Sequence, residues 1–113
     1  MTIEGYRFGQ VVIDGRTYSS DVIIYHDHID DGWWRQEGHA VCADDLPEVL
    51  ADPPEVLVVG RGAPGLMRVR PELCQQLEQA GVELTEQPTE QACETYNRLA
   101  GERRVIAALH LTC

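Results

Sequence analysis

Residues Glu55-Val56-Leu57-Val58-Val59-Gly60-Arg61-Gly62 decide the fold. Four apolar residues in a row, three of them β-branched, describe a strand covered on both faces, whereas a strand with one wet face would alternate. The chain that follows agrees with a covered parallel strand. Pro71–Ala80 reads as a helix, with proline at its start, Leu73 and Leu77 four apart on one face and Gly81 as its stop. Val82–Glu86 is a short strand. Thr89 is expected to cap a helix running to Ala100, with Ala92, Cys93, Tyr96 and Leu99 on one face and Gly101 closing it. Arg103–Leu111 is the last strand. This alternation implies right-handed crossovers and a largely parallel or mixed sheet between helices.

Upstream, the period is that of strands. Tyr6–Asp14 alternates around Gln10-Val11-Val12-Ile13, and Asp14-Gly15 suits the two positive-φ positions of a tight hairpin turn. Arg16–Tyr18 resumes the pattern, and Asp21–Tyr25 encloses the β-branched run Val22-Ile23-Ile24. Asp30-Asp31-Gly32 is a turn before Trp33-Trp34. After Cys42, Asp44 or Asp45 offers an N-cap, Pro47 fits a first helical turn, and Asp52-Pro53-Pro54 ends the segment. The expected fold is α/β: three layers, a central mixed and largely parallel sheet flanked by helices, and an N-terminal β-hairpin. Residues 1–113 form one domain in this reading, with no repeat and no dividing linker.

The charge balance removes several functions. Of 113 residues, 9 are basic and 19 acidic, a formal net charge of −10, and every basic residue is arginine. With no lysine there is neither a Schiff-base amine nor a P-loop lysine. A chain this acidic lacks the basic face that nucleic-acid backbones require. The N-terminus shows no apolar run behind a positive head, and the longest apolar stretches, Val56–Val59 and Val105–Leu109, fall far short of the ~20 residues that span a bilayer. Cys42, Cys74, Cys93 and Cys113 form no C-x-x-C pair, so reduced thiols and a cytoplasmic location are expected, without membrane insertion.

Several segments taken in order carry a resemblance. They are Phe8-Gly9-Gln10 with the Asp14-Gly15 turn, Tyr18 and Asp21-Val22-Ile23-Ile24, then Trp34-x-x-x-Gly38-His39 and Val58-Val59-Gly60-Arg61-Gly62. Gly81-Val82, Thr89-Glu90-Gln91-Ala92, Tyr96-Asn97-x-Leu99 and His110-Leu111-Thr112-Cys113 complete the set. Together they resemble the small α/β family that includes mitochondrial complex I assembly factor 3 and the adipogenesis-associated Mth-like domain protein. The resemblance spans nearly the whole chain. It implies a three-layer fold with a central mixed sheet and brings no catalytic residues to transfer. One eukaryotic branch assists assembly of the respiratory NADH dehydrogenase.

The candidate chemistry gathers in one loop. Gly60-Arg61-Gly62-Ala63-Pro64-Gly65 matches G-x-G-x-x-G after a parallel strand. A dinucleotide loop runs straight into its helix, however, and here Leu66–Arg70 intervenes, Pro64 removes a donor, and no second nucleotide-binding half exists. No cofactor is called for. A narrower reading survives, because Arg61, Arg68 and Arg70 lie in a stretch with no acid between Glu55 and Glu72. That stretch follows a parallel strand's carboxyl end, where open α/β sheets bind ligands. Gly60, Arg61, Gly62, Gly65, Arg68 and Arg70 are therefore the candidate ligand-binding residues, for a small anion or an acidic segment of a partner. The bland alternative is arginines paired with surface carboxylates.

Other candidates are weaker. His26-x-His28 and His39-x-x-Cys42 contain metal-ligand types without metal-site spacing, so no metal site is assigned. His110 and Cys113, three apart on a strand, point to opposite faces and do not make a dyad by themselves; His39 could act as a base only through folding. Thr89, Tyr96 and Asn97 read as scaffold. Trp33 and Trp34 are candidate interface residues, since adjacent strand positions face opposite sides and one can be core while the other is exposed. No acid, base and nucleophile form a set, and no catalytic residue is assigned. The leading expectation is a non-enzymatic binding or assembly-helper domain with a protein partner, with self-association open. The alternative is a small-molecule or anion-binding protein, conceivably an enzyme, acting at the Gly60–Gly65 loop.

Overall fold

The apolar run after Glu55 becomes β7 (Val56–Arg61), and Val105–His110 becomes β10 beside it in a computed structural model describing residues 1–113. The two strands pair in parallel from Val105 against Val56 to His110 against Arg61. On the other side of β7 lies β9 (Glu83–Gln87), also parallel. β4 (Val22–Ile24) pairs antiparallel with β10, and β5 (Ile29–Asp30) antiparallel with β4. The sheet order is β5-β4-β10-β7-β9, a mixed sheet.

Val56, Leu57, Val58 and Val59 are all fully buried because alternate side chains feed two separate cores. Leu57 and Val59 join Ile23, Ile106 and Ala108 under α1 (Pro47–Ala51) and α2 (Pro71–Gln79), which contribute Val49, Leu73 and Leu77. Val56 and Val58 join Val22, Ile24, Ala107 and Leu109 on the opposite face. There they meet Ala92, Cys93 and Tyr96 of α3 (Thr89–Ala100) and Val11 and Ile13 from the N-terminal strands. Burying each such aliphatic side chain contributes roughly 1.5–3 kcal/mol, so a strand feeding both cores is where polar substitution costs most.

Four expectations need correction. The N-terminal segment is a three-stranded antiparallel sheet, not a single hairpin: β1 (Ile3–Arg7), β2 (Gln10–Ile13) and β3 (Arg16–Tyr18). The chain turns once at the expected Asp14-Gly15, whose φ angles are 50° and 80°, and also at Phe8-Gly9, a turn that the strand-like alternation concealed. Trp33-Trp34 lies in a loop rather than a strand. Asp45 does not cap α1, whose N-cap is Leu46; its carboxylate accepts the N–H groups of Cys42 at 2.9 Å and Gln36 at 3.2 Å instead. Thr89 is the first residue of α3 rather than its cap, which is Pro88. The turn-forming types are the same at caps and loops, and tertiary contacts chose between the two uses.

Two short strands, β6 (Ala40–Val41) and β8 (Arg68–Val69), pair in parallel and tie the loops after β5 and β7 together. The outer edge of β1 is closed by a side chain. Asn97 of α3 accepts the Ile3 N–H at 2.8 Å and donates its Nδ2 to the Ile3 carbonyl at 2.7 Å, imitating a neighbouring strand. Asn97→Ala removes both bonds; it is expected to lower stability by about 1–3 kcal/mol in denaturant titration and to speed amide exchange in Ile3–Arg7 selectively.

Candidate functional site

β7 and β10 end together, Arg61 opposite His110, and the chain beyond each bends over the carboxyl end of the sheet. The Gly60–Gly65 loop is packed against this end through absent side chains. A Cβ on Gly60 would stand 2.9 Å from Thr89 Oγ1 and 3.0 Å from Leu109 Cδ2. Gly62 has φ +94°, and a Cβ there would stand 2.6 Å from the Thr112 carbonyl. Into the space left at Gly60 comes the buried Thr89 hydroxyl, which accepts the Gly62 N–H at 2.9 Å and donates to the His110 carbonyl at 2.5 Å.

Most amides of the loop are spent within the chain. Ala63 donates to the Thr112 carbonyl, Gly65 to Gly62, Met67 to Arg61, Arg68 to His39 and Arg70 to Val41. A nest of free backbone donors is therefore not what this loop presents. Its arginine side chains behave differently from one another. Arg70 pairs with Glu37 through one nitrogen, at 2.6 and 2.7 Å to the two carboxylate oxygens. Arg61 donates Nε to the Met67 carbonyl and Nη2 to the Gly65 carbonyl, each at 2.8 Å. Arg68 donates Nη1 to that same Gly65 carbonyl at 2.8 Å. Arg61 and Arg68 are thus held side by side on a shared acceptor, and neither makes an ion pair, unlike Arg35, Arg70, Arg103 and Arg104.

Beneath this loop lies a buried charged cluster that no sequence motif announces. Asp21, just before β4, accepts the Leu111 N–H at 2.8 Å through Oδ1. Its Oδ2 stands 2.8 Å from His110 Nδ1 and 2.9 Å from Arg35 Nη1. Arg35 also reaches the Gly38 carbonyl and lies over the Trp33 ring at 4.6 Å. His110 Nδ1 stands 3.1 Å from Arg35 Nη2 as well, and one ring nitrogen cannot both donate and accept. Burial works to raise the Asp21 pKa, yet the bonds from His110, the Leu111 amide and Arg35 outweigh it and hold the carboxyl below its ordinary value. An ionised Asp21 assigns the proton to His110 Nδ1. His110 Nε2 and Arg35 Nε are left buried without partners.

The two tryptophans have separate fates. Trp33 is buried, donating Nε1 to the Asp45 carbonyl at 3.0 Å and its N–H to the Asp21 carbonyl, so it is core and cannot be offered to a partner. Trp34 is 77% exposed. Phe8 and Leu66 are the other large apolar side chains more than half exposed. Each has a chain neighbour bonded at this end: the Gly9 N–H to the Leu111 carbonyl, Arg35 to His110, and the Gly65 carbonyl to Arg61.

The remaining candidates do not converge. His26 accepts from Arg104 Nε at 2.7 Å, while His28 bonds Asp27 and stacks on Tyr25. His39 stands edge-on to His110 with ring centroids 6.3 Å apart. No three His, Cys, Asp or Glu side chains are grouped as a metal would need. All four cysteines are free. Burial pushes the Cys93 thiol up to about 12, hydrogen bonding to Asp45 raises Cys42, and burial raises Cys74, so these three are not activated nucleophiles.

A family model described as Protein of unknown function (DUF498/DUF598) matches residues 3–110. The "13 kDa major membrane protein" of Francisella tularensis subsp. holarctica (strain LVS) is 30% identical over 91 residues, covering 80% of this chain and 68% of its own length. A conserved hypothetical protein from Pyrococcus horikoshii OT3 is similar in structure with a TM-score of 0.88 and 32% identity, over 100% of both chains. A Bordetella pertussis protein described as a Mth938-like domain shares the fold, with a TM-score of 0.77 and 24% identity over 97% of this chain and 85% of that one.

Two substitutions probe this end. Gly62→Ala should cost more than the ~1 kcal/mol usual for a positive-φ site, because its methyl also meets the Thr112 carbonyl. Asp21→Asn should destabilise by about 3–5 kcal/mol at pH 7 by leaving Arg35 unpaired. Since the folded-state pKa of Asp21 is lowered, its contribution is present above the unfolded value and lost as pH falls through the folded one. The gap between wild type and Asp21→Asn in urea titrations should therefore narrow from pH 5 downward.

Proposed function

The chain belongs to the DUF498/DUF598 family, whose function is unknown, and from that premise we propose that it is a non-enzymatic protein-binding domain whose contact surface is the carboxyl end of β7 and β10. The observation that carries this reading is Trp34. An indole left 77% exposed sits between two anchored neighbours: Trp33, whose N–H bonds Asp21 and whose indole bonds Asp45, and Arg35, whose guanidinium bonds Asp21. A large side chain held on a rigid loop loses little entropy on association, which is the usual character of an interface anchor. Phe8 and Leu66, exposed on loops whose neighbours bond at the same end, are taken as further contacts.

The layering fits this reading: α1 and α2 lie on one face of the five-stranded sheet, α3 and the N-terminal strands on the other, so the loops over the strand ends are what a partner would meet. A narrower role, assisting assembly of a respiratory complex, rests on the family resemblance alone. A cytoplasmic location is the reading that four free thiols favour. No helix is long and apolar enough to cross a membrane. A second reading, binding of a small anion at the Gly60–Gly65 loop, is favoured by one observation: Arg61 and Arg68 share the Gly65 carbonyl without a carboxylate between them.

Paired affinity captures from the native host, using wild-type and Trp34→Ala bait, test the proposal. A stoichiometric partner held by wild type and weakened at least tenfold by Trp34→Ala, at unchanged melting temperature, is the expected result. Identical capture by both baits overturns it. In cell fractionation the protein should stay with the soluble fraction; retention on washed membranes overturns the cytoplasmic placement.

A further inference from the structure

We infer that Arg61 and Arg68 form a clamp for a carboxylate on an acidic segment of the protein partner, with Leu66 receiving an apolar residue beside it. This rests on the binding-domain reading above and names the chemistry of its partner. The observation is the shared carbonyl. Two guanidinium groups both bond Gly65 O at 2.8 Å, which brings like charges together that would otherwise separate. Each is fixed by the main chain and not by an acid, so its positive charge is directed but not neutralised. Arg61 keeps Nη1, and Arg68 keeps Nε and Nη2, without a protein acceptor. Planar guanidinium donors suit the two oxygens of a carboxylate.

The surrounding charges favour an anion at this point despite a net charge of −10. No acid occurs between Glu55 and Glu72. Of the carboxylates bonded to this stretch, Glu37 is paired with Arg70, while Glu86 accepts the Val69 N–H at 3.3 Å and keeps its charge. At physiological ionic strength the screening length is about 8 Å, so the acids on the remaining surface count for little against a clamp in contact. A free anion would use the arginines alone. The exposed Leu66, one residue from the shared carbonyl and flanked by the buried Gly65 and Met67, adds an apolar contact that only a larger, mixed ligand uses.

The test is a titration of the isotope-labelled full chain, followed by NMR at the Arg61 and Arg68 Nε–H signals and at Leu66. Three probes are used: a decapeptide alternating glutamate and leucine, the same peptide with glutamine for glutamate, and sodium phosphate. The acidic peptide should shift all three signals saturably, and the glutamine peptide should bind about tenfold more weakly or less. Arg68→Ala, an exposed position whose loss spares the Arg61 bonds, should lower affinity for the acidic peptide by a similar factor. Equal binding of the two peptides overturns the clamp. Phosphate shifting the arginines as strongly, with Leu66 unmoved by peptide, overturns it in favour of a small-anion site. A concentration-dependent dimer in sedimentation that Arg68→Glu abolishes overturns it in favour of a second copy of this chain. If the clamp fails while Trp34→Ala still releases a captured partner, the binding-domain reading stands without it.

Discussion

The hydroxyl of Thr89 joins three elements at one point. It accepts from Gly62, donates to the His110 carbonyl, and stands at the first turn of α3. The Thr89 N–H closes the arrangement by donating to the Gly62 carbonyl. Because the residue is fully buried, its hydroxyl depends on these two partners in place of water. The absence of a Cβ at Gly60 is what admits the hydroxyl so close to the sheet, and its absence at Gly62 admits the Thr112 carbonyl. The end of β7, the end of β10 and the start of α3 are therefore set relative to one another by one side chain and two missing ones.

From that joint follows the character of the carboxyl end. Thr112 is drawn over Gly62 by the Ala63 N–H, and Leu111 is held by Asp21 on one side and by the Gly9 N–H and Tyr6 hydroxyl on the other. The tail after β10 is thus stitched to the N-terminal sheet, the loop before β4 and the glycine loop. Rigidity here has a consequence for recognition: Phe8, Trp34 and Leu66 are presented by loops that are already ordered. The Asp21, Arg35 and His110 cluster completes the support. Its burial costs desolvation that its mutual bonds offset, and breaking it would leave a lone guanidinium against Trp33.

Much of the fold was legible because local signals and burial agreed. α3 ends at the expected Ala100, and the Asp14-Gly15 turn and the covered strand β7 lie where local sequence placed them. The departures occurred where one residue type serves two structures. Threonine after proline reads as a cap, yet Thr89 turns inward because a glycine loop passes within reach. Aspartate before a helix reads as a cap, yet Asp45 serves the amides of Gln36 and Cys42. Phe8-Gly9 read as part of a strand because the alternation continues on both sides of it. The Arg61–Arg70 island was visible as charge, but its division into two free arginines and one paired with Glu37 was not.

By itself, then, the sequence determined the main strands and helices, that one strand is buried on both faces, and that a lysine-free, acidic chain has an acid-free stretch with three arginines after one glycine loop begins. These are properties of neighbouring residues and of totals, and short-range periodicity expresses them. The tertiary structure alone decided which groups meet. Asp21 contacts a histidine 89 positions away and an arginine 14 away, and two arginines choose the same carbonyl. Such pairings depend on how strands are ordered in the sheet and how loops return over its end, and no local pattern of residues encodes a distance between segments.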